Sequence, residues 1–361
     1  MLRRTMLSAV ALVFAAHGAL AQGSDTGAVV ERALASTTDW QIPDDGPRMV
    51  SNKRIVYLAA SLRNGGILAV GEGLREAVVQ TDWTLELIDT RGSDTIVSNQ
   101  LQEMLLDRPD AVIVGGFDAL THAAHLNALN EAGVAIVGWH AGSEPGPIAS
   151  ASVKVNVTTD PLEVAQVAAS YAIETTKGAA GAVIFTDTRY GIAVRKSDEM
   201  ARVISLCESC EVLEIVDVPL DKAREIMPGL LDRLQAKYGD RWNVSLGIND
   251  LYFDELALPM AFKGIAPAGE VFNISAGDGS FTAYKRIRVA NYQAATVPEP
   301  LNFQGWQLLD ELNRIFAGVE PSGFVAPTKL VVNDNVDEEG GLENIFDPEN
   351  GYRDFFARQW K

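Results

Sequence analysis

The sequence predicts an α/β protein of two doubly wound lobes, each a parallel sheet with helices on both faces, joined by a three-segment hinge. Three observations predict it. Short, almost uninterrupted apolar runs alternate with segments of helical spacing from Lys53 onward. The alternation falls into two sets of similar size, in keeping with the two domains that a chain of 361 residues suggests. The last third then adds isolated strands and one more helix. Segments shuttling between two finished sheets would do this; the closing units of an eight-stranded barrel would not.

Residues 22–52 are rich in Asp, Thr, Gly and Pro and are read as an irregular leader. The apolar run 54–59 predicts the first strand. Leu68, Val70, Leu74, Ala77 and Val78 share one face of a helix expected over 67–80. A strand over 83–88, a helix over 95–106, a strand over 110–114, a helix near 119–131 and a strand over 134–139 follow. Runs this apolar are buried on both faces, as in a parallel sheet. The strand 153–157 leads into the second set. Asp160 and Pro161 pair a capping side chain with a proline at the first helical position, predicting a helix to about 176. Strands over 182–186, 212–216, 244–248 and 271–275 alternate with helices over 192–206, 220–237, 254–263 and 279–287, a pattern of right-handed βαβ units. A strand over 291–297, a helix over 303–317 and a strand over 329–332 complete the body. The lobes are then 53–157 with 300–327, and 158–299 with 328–336, followed by a tail over 337–361.

The first 21 residues read as a signal peptide. Arg3 and Arg4 precede an apolar run over 6–16, and Ala19-Leu20-Ala21 supplies the small-x-small cleavage pattern. The run is too short to span about 30 Å of hydrocarbon, and no cysteine stands at the cut to carry a lipid. No later stretch resembles a membrane helix. An exported, periplasmic protein without membrane insertion is expected. Lys and Arg number 30 against 48 Asp and Glu, for a formal charge of −18, which repels nucleic-acid phosphates.

Two cysteines and four histidines leave no basis for a four-thiolate zinc site or a His-rich centre, so no metal or cofactor is expected. Cys207 and Cys210 lie between a predicted helix and strand. A thioredoxin-type pair would open a helix after a strand, so a structural disulfide in an oxidising compartment is preferred, with two free thiols the alternative. No nucleophile elbow, phosphate loop or His-Glu-x-x-His motif is present, and an enzyme is not expected. A glycosidase carboxylate pair is the residual enzymatic alternative, with Asp187, Asp278 and Glu299 as the strand-end acids.

Five stretches, in order and at matching spacing, carry a family resemblance. They are 59–66 (Ala-Ala-Ser-Leu-Arg-Asn-Gly-Gly), Val157-Thr-Thr-Asp160 with Glu163, Gly247-Ile-Asn-Asp250, Ser275-Ala-Gly-Asp-Gly279 and Ala295-Thr-Val-Pro-Glu299. The third and fourth match the family's A-x-N-D and G-x-D-G turns, and the last its A-T-V-x-Q crossover. Over about 53–336 the chain resembles the ribose-type periplasmic sugar-binding proteins, the solute receptors of ATP-binding-cassette (ABC) importers. The resemblance implies the periplasmic binding protein type 1 fold and a monosaccharide or sugar alcohol held between the lobes. It also implies an ABC permease partner in the inner membrane, and a monomer is expected. A receptor for a furanosyl signal of the autoinducer-2 type, or a chemotaxis sensor, would share the fold.

The same resemblance nominates ligand contacts. Asn64 falls at the family's sugar-holding Asn, although Gly65 and Gly66 after it also suit a plain turn. Phe117 and Trp139 are candidate walls. His140 stands where the family has an Asp, with Ala141 in place of its Arg. Arg195 and Lys196 straddle the family's sugar-binding Arg, and Arg195 is favoured for its planar fork. Asn249 matches a ligand Asn, Asp250 is expected to cap the next helix, and Tyr252 could close that side. Asp278 matches the family's carboxylate. Glu299 replaces a Gln, so it is expected to meet a neighbouring cation, or an amine or extra hydroxyl of the ligand.

Overall fold

The computed structural model describes residues 25–35 and 40–361. The expected signal peptide lies outside the described residues. The first sheet holds β1 (Arg54–Ala59), β2 (Thr84–Asp89), β3 (Ala111–Gly115), β4 (Ala135–Trp139), β5 (Gly146–Ile148) and β6 (Val153–Val157), in the order β2-β1-β3-β4-β6-β5. The second holds β7 (Gly181–Thr186), β8 (Glu211–Asp217), β9 (Val244–Gly247), β10 (Phe272–Ser275), β11 (Ala295–Thr296) and β12 (Val331–Val332), in the order β12-β11-β10-β9-β7-β8. Pairing is parallel except at one edge of each sheet, where β5 runs against β6 and β12 against β11. The two sheets build the two-lobe fold of the periplasmic binding proteins of type 1.

The helices are α1 (Thr26–Leu34), α2 (Gly65–Val78), α3 (Asp94–Asp107), α4 (Ala123–Glu131), α5 (Pro161–Thr175), α6 (Gly191–Ser205), α7 (Ala223–Tyr238), α8 (Leu251–Phe262), α9 (Phe281–Arg288), α10 (Leu301–Phe316), α11 (Val336–Gly340) and α12 (Tyr352–Gln359). Local chemistry sets several starts. Asn64 caps α2, accepting from the N–H groups of Gly66 and Ile67, and the Asp160 carboxylate caps α5 through Leu162 N. Among the described residues, no helix is long and apolar enough to cross a membrane.

Each sheet is the centre of its own core. The first-lobe core joins strand residues such as Ile55, Leu58, Ile113 and Ile136 to Phe303 and Trp306 of α10 and to Tyr352, Phe356 and Trp360 of the tail. The second joins Ile184, Phe185, Leu246 and Ile274 to Val164 of α5 and Met200 of α6. The chain therefore passes between lobes between α1 and β1, after β6, after β11, after α10 and again between α11 and α12.

The leader is not uniformly irregular as expected. Thr26–Leu34 form a helix capped by Asp25, and Ala33 is buried in the second-lobe core. Two backbone carbonyls at its end, of Leu34 and Ala35, accept from the buried Lys329 ammonium at 3.1 and 2.7 Å. Val29 with Ala33 and Val30 with Leu34 stand at helical spacing, so the signal for this helix was present in the sequence. Cys207 and Cys210 form a disulfide in the turn between α6 and β8.

Candidate ligand-binding cleft

The carboxyl ends of the strands in both sheets face one another across a cleft of about 460 Å³. Ligands of open α/β sheets bind at such ends. A larger groove of about 970 Å³ lies beside it under the tail, bounded by the first turns of α2 and α9 and remote from most strand ends. The smaller cleft is the candidate site.

The lobes meet at this cleft. A Cβ on Gly66, in the first turn of α2, would stand 2.6 Å from an Asp278 carboxylate oxygen of the opposite lobe, so only glycine fits. Asp278 itself has φ +25° and is buried. Asn249 Nδ2 donates to its Oδ2 at 2.6 Å, while Asn249 Oδ1 accepts from Leu251 N. Asn249, Asp278, Asn64, Trp139 and His140 all line the cleft.

Lys196 is the cleft cation. It is 3% exposed and lines the cleft, and it makes no hydrogen bond or ion pair with any described residue. Arg195, preferred from the sequence, is turned to the cleft's edge, where its Nη2 pairs with Glu144 of the other lobe at 2.8 Å. One residue along a helix turns a side chain by about 100°, and that turn decides which of the two faces inward.

Three further expectations are corrected by packing. Tyr252 is fully buried in the second-lobe core, its hydroxyl donating to Val218 O at 2.8 Å, and it does not line the cleft. Phe117 packs edge-on to His122 around a side pocket of about 80 Å³ rather than in the main cleft. Asp250 stands at the start of α8 without capping it. Its carboxylate instead accepts from Gly279 N, Ser280 N and Gln293 Nε2, tying down the loop that carries Asp278. Burial pushes the Asp250 carboxyl up to about 6 against those hydrogen bonds.

Glu299 lies one layer behind the wall. It is fully buried and meets a neighbouring side chain, His140, whose Nε2 stands 2.6 Å from Oε1. Its Oε2 accepts from Thr159 N at 3.2 Å and from Gln304 Nε2 at 2.6 Å. Burial alone would raise this carboxyl; the charge and hydrogen bond of His140, the Lys196 charge and Gln304 outweigh it and hold the group at about 2. The His140 ring lies flat on Trp139, centroids 3.9 Å apart and 8° from parallel. Among the described residues, His140, Asp278 and Glu299 bring possible metal-ligand atoms within 4.8 Å of one another. Those atoms are already committed, Glu299 to His140 and Asp278 to Asn249, and the Lys196 ammonium acts on the same spot. The arrangement is a hydrogen-bond network rather than an open set of ligands.

Sequence reasoning missed the loop after β7. Arg189 lines the cleft, forked onto Asp187 (2.9 and 2.6 Å) and bonded to Asp221 at 2.6 Å, with Tyr190 beside it. Its position directly after a strand's carboxyl end was the available signal.

A periplasmic binding protein domain is matched over residues 55–234, from β1 into α7. The chain carries a domain of the periplasmic binding protein family over these residues. Solved structures share the fold over most of their length. A galactofuranose binding protein superposes with a TM-score of 0.70 at 14% identity, covering 79% of this chain and 96% of its own. An ABC transporter solute binding protein from Agrobacterium vitis with bound allitol gives 0.68 at 19%, covering 80% and 98%. A Caulobacter myo-inositol binding protein bound to myo-inositol gives 0.69 at 17%, covering 81% and 97%. Among curated proteins, none matches this chain in sequence.

Proposed function

We propose that this protein is an exported solute receptor. It closes its two lobes on a small polyhydroxylated molecule, a sugar or sugar alcohol, and delivers it to a membrane permease. The Lys196 ammonium carries the reading: its stem is buried, its head opens into the cleft, and no described residue accepts its hydrogens, which leaves them for the oxygens of a ligand. Asp278 offers an acceptor beside it, and the stacked Trp139–His140 pair offers a flat wall. Such a mixture of donors, acceptors and apolar surface suits a molecule with hydroxyls on every side. A galactofuranose binding protein and two structural neighbours with bound allitol and myo-inositol support the class. Hinge motion at the crossovers supplies closure.

A thermal-shift screen of the protein without its first 21 residues tests the reading, against sugars, polyols, amino sugars and amino acids. Binding to the closed form raises Tm by mass action. A rise with a sugar or polyol, and micromolar affinity worth roughly −8 kcal/mol, is the expected result. A rise with amino acids alone, or with nothing, overturns it.

A further inference from the structure

Four side chains at the back of the cleft close a circuit in which every hydrogen has one possible place. Trp139 Nε1 can only donate, and it lies 2.7 Å from Gln304 Oε1. The Gln304 amide is thereby oriented, with its NH₂ toward Glu299 Oε2 at 2.6 Å. Glu299 Oε2 accepts from both Thr159 N and Gln304 Nε2, the environment of a carboxylate, so the proton in the 2.6 Å contact between Glu299 Oε1 and His140 sits on His140 Nε2. In a neutral imidazole the other nitrogen is then bare. His140 Nδ1 has no partner among the described residues, and the ring lines the cleft.

The geometry points to Glu299 as a positioning residue: it never touches the ligand, but fixes the tautomer of His140 so that Nδ1 presents a lone pair to a ligand hydroxyl. The cleft is then read by a donor at Lys196 and acceptors at Asp278 and His140 Nδ1. A ligand must present a free hydroxyl to His140; a deoxy or O-methyl group in that place leaves the lone pair buried and unpaired. The charged groups facing the ring are Glu299 from the crossover after β11, Asp278 from the loop after β10 and Lys196 from α6. Trp139, stacked on the ring, carries no charge. This inference rests on the receptor reading for its ligand, but not for its tautomer.

The experiment has two arms. The first needs no ligand. Nitrogen-15 spectra of the histidine-labelled protein are compared with those of His140→Asn, which identifies the His140 signals. A neutral ring with protonated Nε2 and bare Nδ1 is expected, and Glu299→Gln is expected to mix the tautomers. Protonated Nδ1 at neutral pH, in the neutral ring or in an imidazolium, overturns the proposal even if Glu299→Gln does not fold. The second arm measures Kd for myo-inositol, allitol, D-galactose and D-ribose. Glu299→Gln is expected to weaken whichever of these binds at least tenfold. It should add nothing in a His140→Asn background, where the Asn oxygen replaces the Nδ1 acceptor. Additive losses, or wild-type affinity in Glu299→Gln, overturn the positioning role. If none of the four binds wild type, the receptor reading loses support while the spectra still decide the tautomer.

Discussion

Lys196 and Asp250 are two charged residues with different consequences. Lys196 has a buried stem, but its head opens into the cleft without a hydrogen-bond partner among the described residues, and its charge acts on Glu299. Lys196→Met keeps the stem's volume and removes the charge. It should weaken sugar or polyol binding at least tenfold by calorimetry; unchanged affinity would remove Lys196 from the site. Asp250 has a folded-state pKa of about 6, above its ordinary 3.8. The folded protein therefore binds this proton more tightly than the unfolded chain. The stabilisation is fully present below about pH 4 and is lost as pH rises through 6, by about 3 kcal/mol. Urea titrations from pH 4 to 7 should show this loss in wild type and a flatter profile in Asp250→Asn. The same residues show why the site was only partly legible. Asn249 and Asp278 were readable because they fall in the A-x-N-D and G-x-D-G turns of the family the sequence resembles. Lys196 and Tyr252 were not, because their direction depends on helix register and core packing, which a single sequence leaves open.

Helices α2 and α10 pack with their backbones in contact. A Cβ on Gly305 would come within 2.6 Å of the Gly73 carbonyl carbon and the Leu74 nitrogen, main-chain atoms that cannot swing aside. Gly305→Ala should force the helices apart and cost about 1–3 kcal/mol in chemical denaturation, whereas ordinary helix propensity would make the change favourable. Since α10 begins directly after the Glu299 crossover, the same variant is expected to loosen ligand binding. The regular elements were otherwise readable: strands such as β1 and β3 are unbroken apolar runs, and α5 announces itself with Asp160-Pro161. The edge strand β5 escaped notice because it is three residues long and contains a proline. The short β11 was overextended because its apolar flanks are buried by neighbours rather than by ladder pairing.

The tail ties the two lobes together. On the second lobe, Val336 packs with Tyr284 and Ile287, Asp337 binds Arg288 at 2.6 Å, and Glu339 binds Lys329 at 2.6 Å. On the first, Trp360 stacks on Trp306 with centroids 5.4 Å apart and donates to Asp310 at 2.8 Å, and Arg353 holds Glu76. Residues 347–351 bridge these anchors and can reach no more than roughly 18 Å when fully extended. Phe346 also belongs to the second-lobe anchor, packed with Tyr284 and Val331, so a protease site inserted after Glu349, inside the bridge, would cut the tie and leave both anchors in place. Cleavage should increase the ligand-free radius of gyration in solution scattering and weaken binding, because a smaller fraction of molecules is then near the closed form. An unchanged radius and Kd would show the tie to be slack. The aromatic residues of the tail were visible in the sequence; their partner lobe was not, because nothing local distinguishes Trp306 from any other buried aromatic. The tie also bears on how the molecule comes into being. Its first lobe is assembled from strands β1–β6 and from Phe356 and Trp360 near the other end, with the whole second-lobe sheet lying in between and that lobe's α1 ahead of them all. During synthesis the second lobe can complete its own centre while the first waits, half-built, for the last residues to arrive. Folding from the amino end is therefore expected to finish with the lobe that began it.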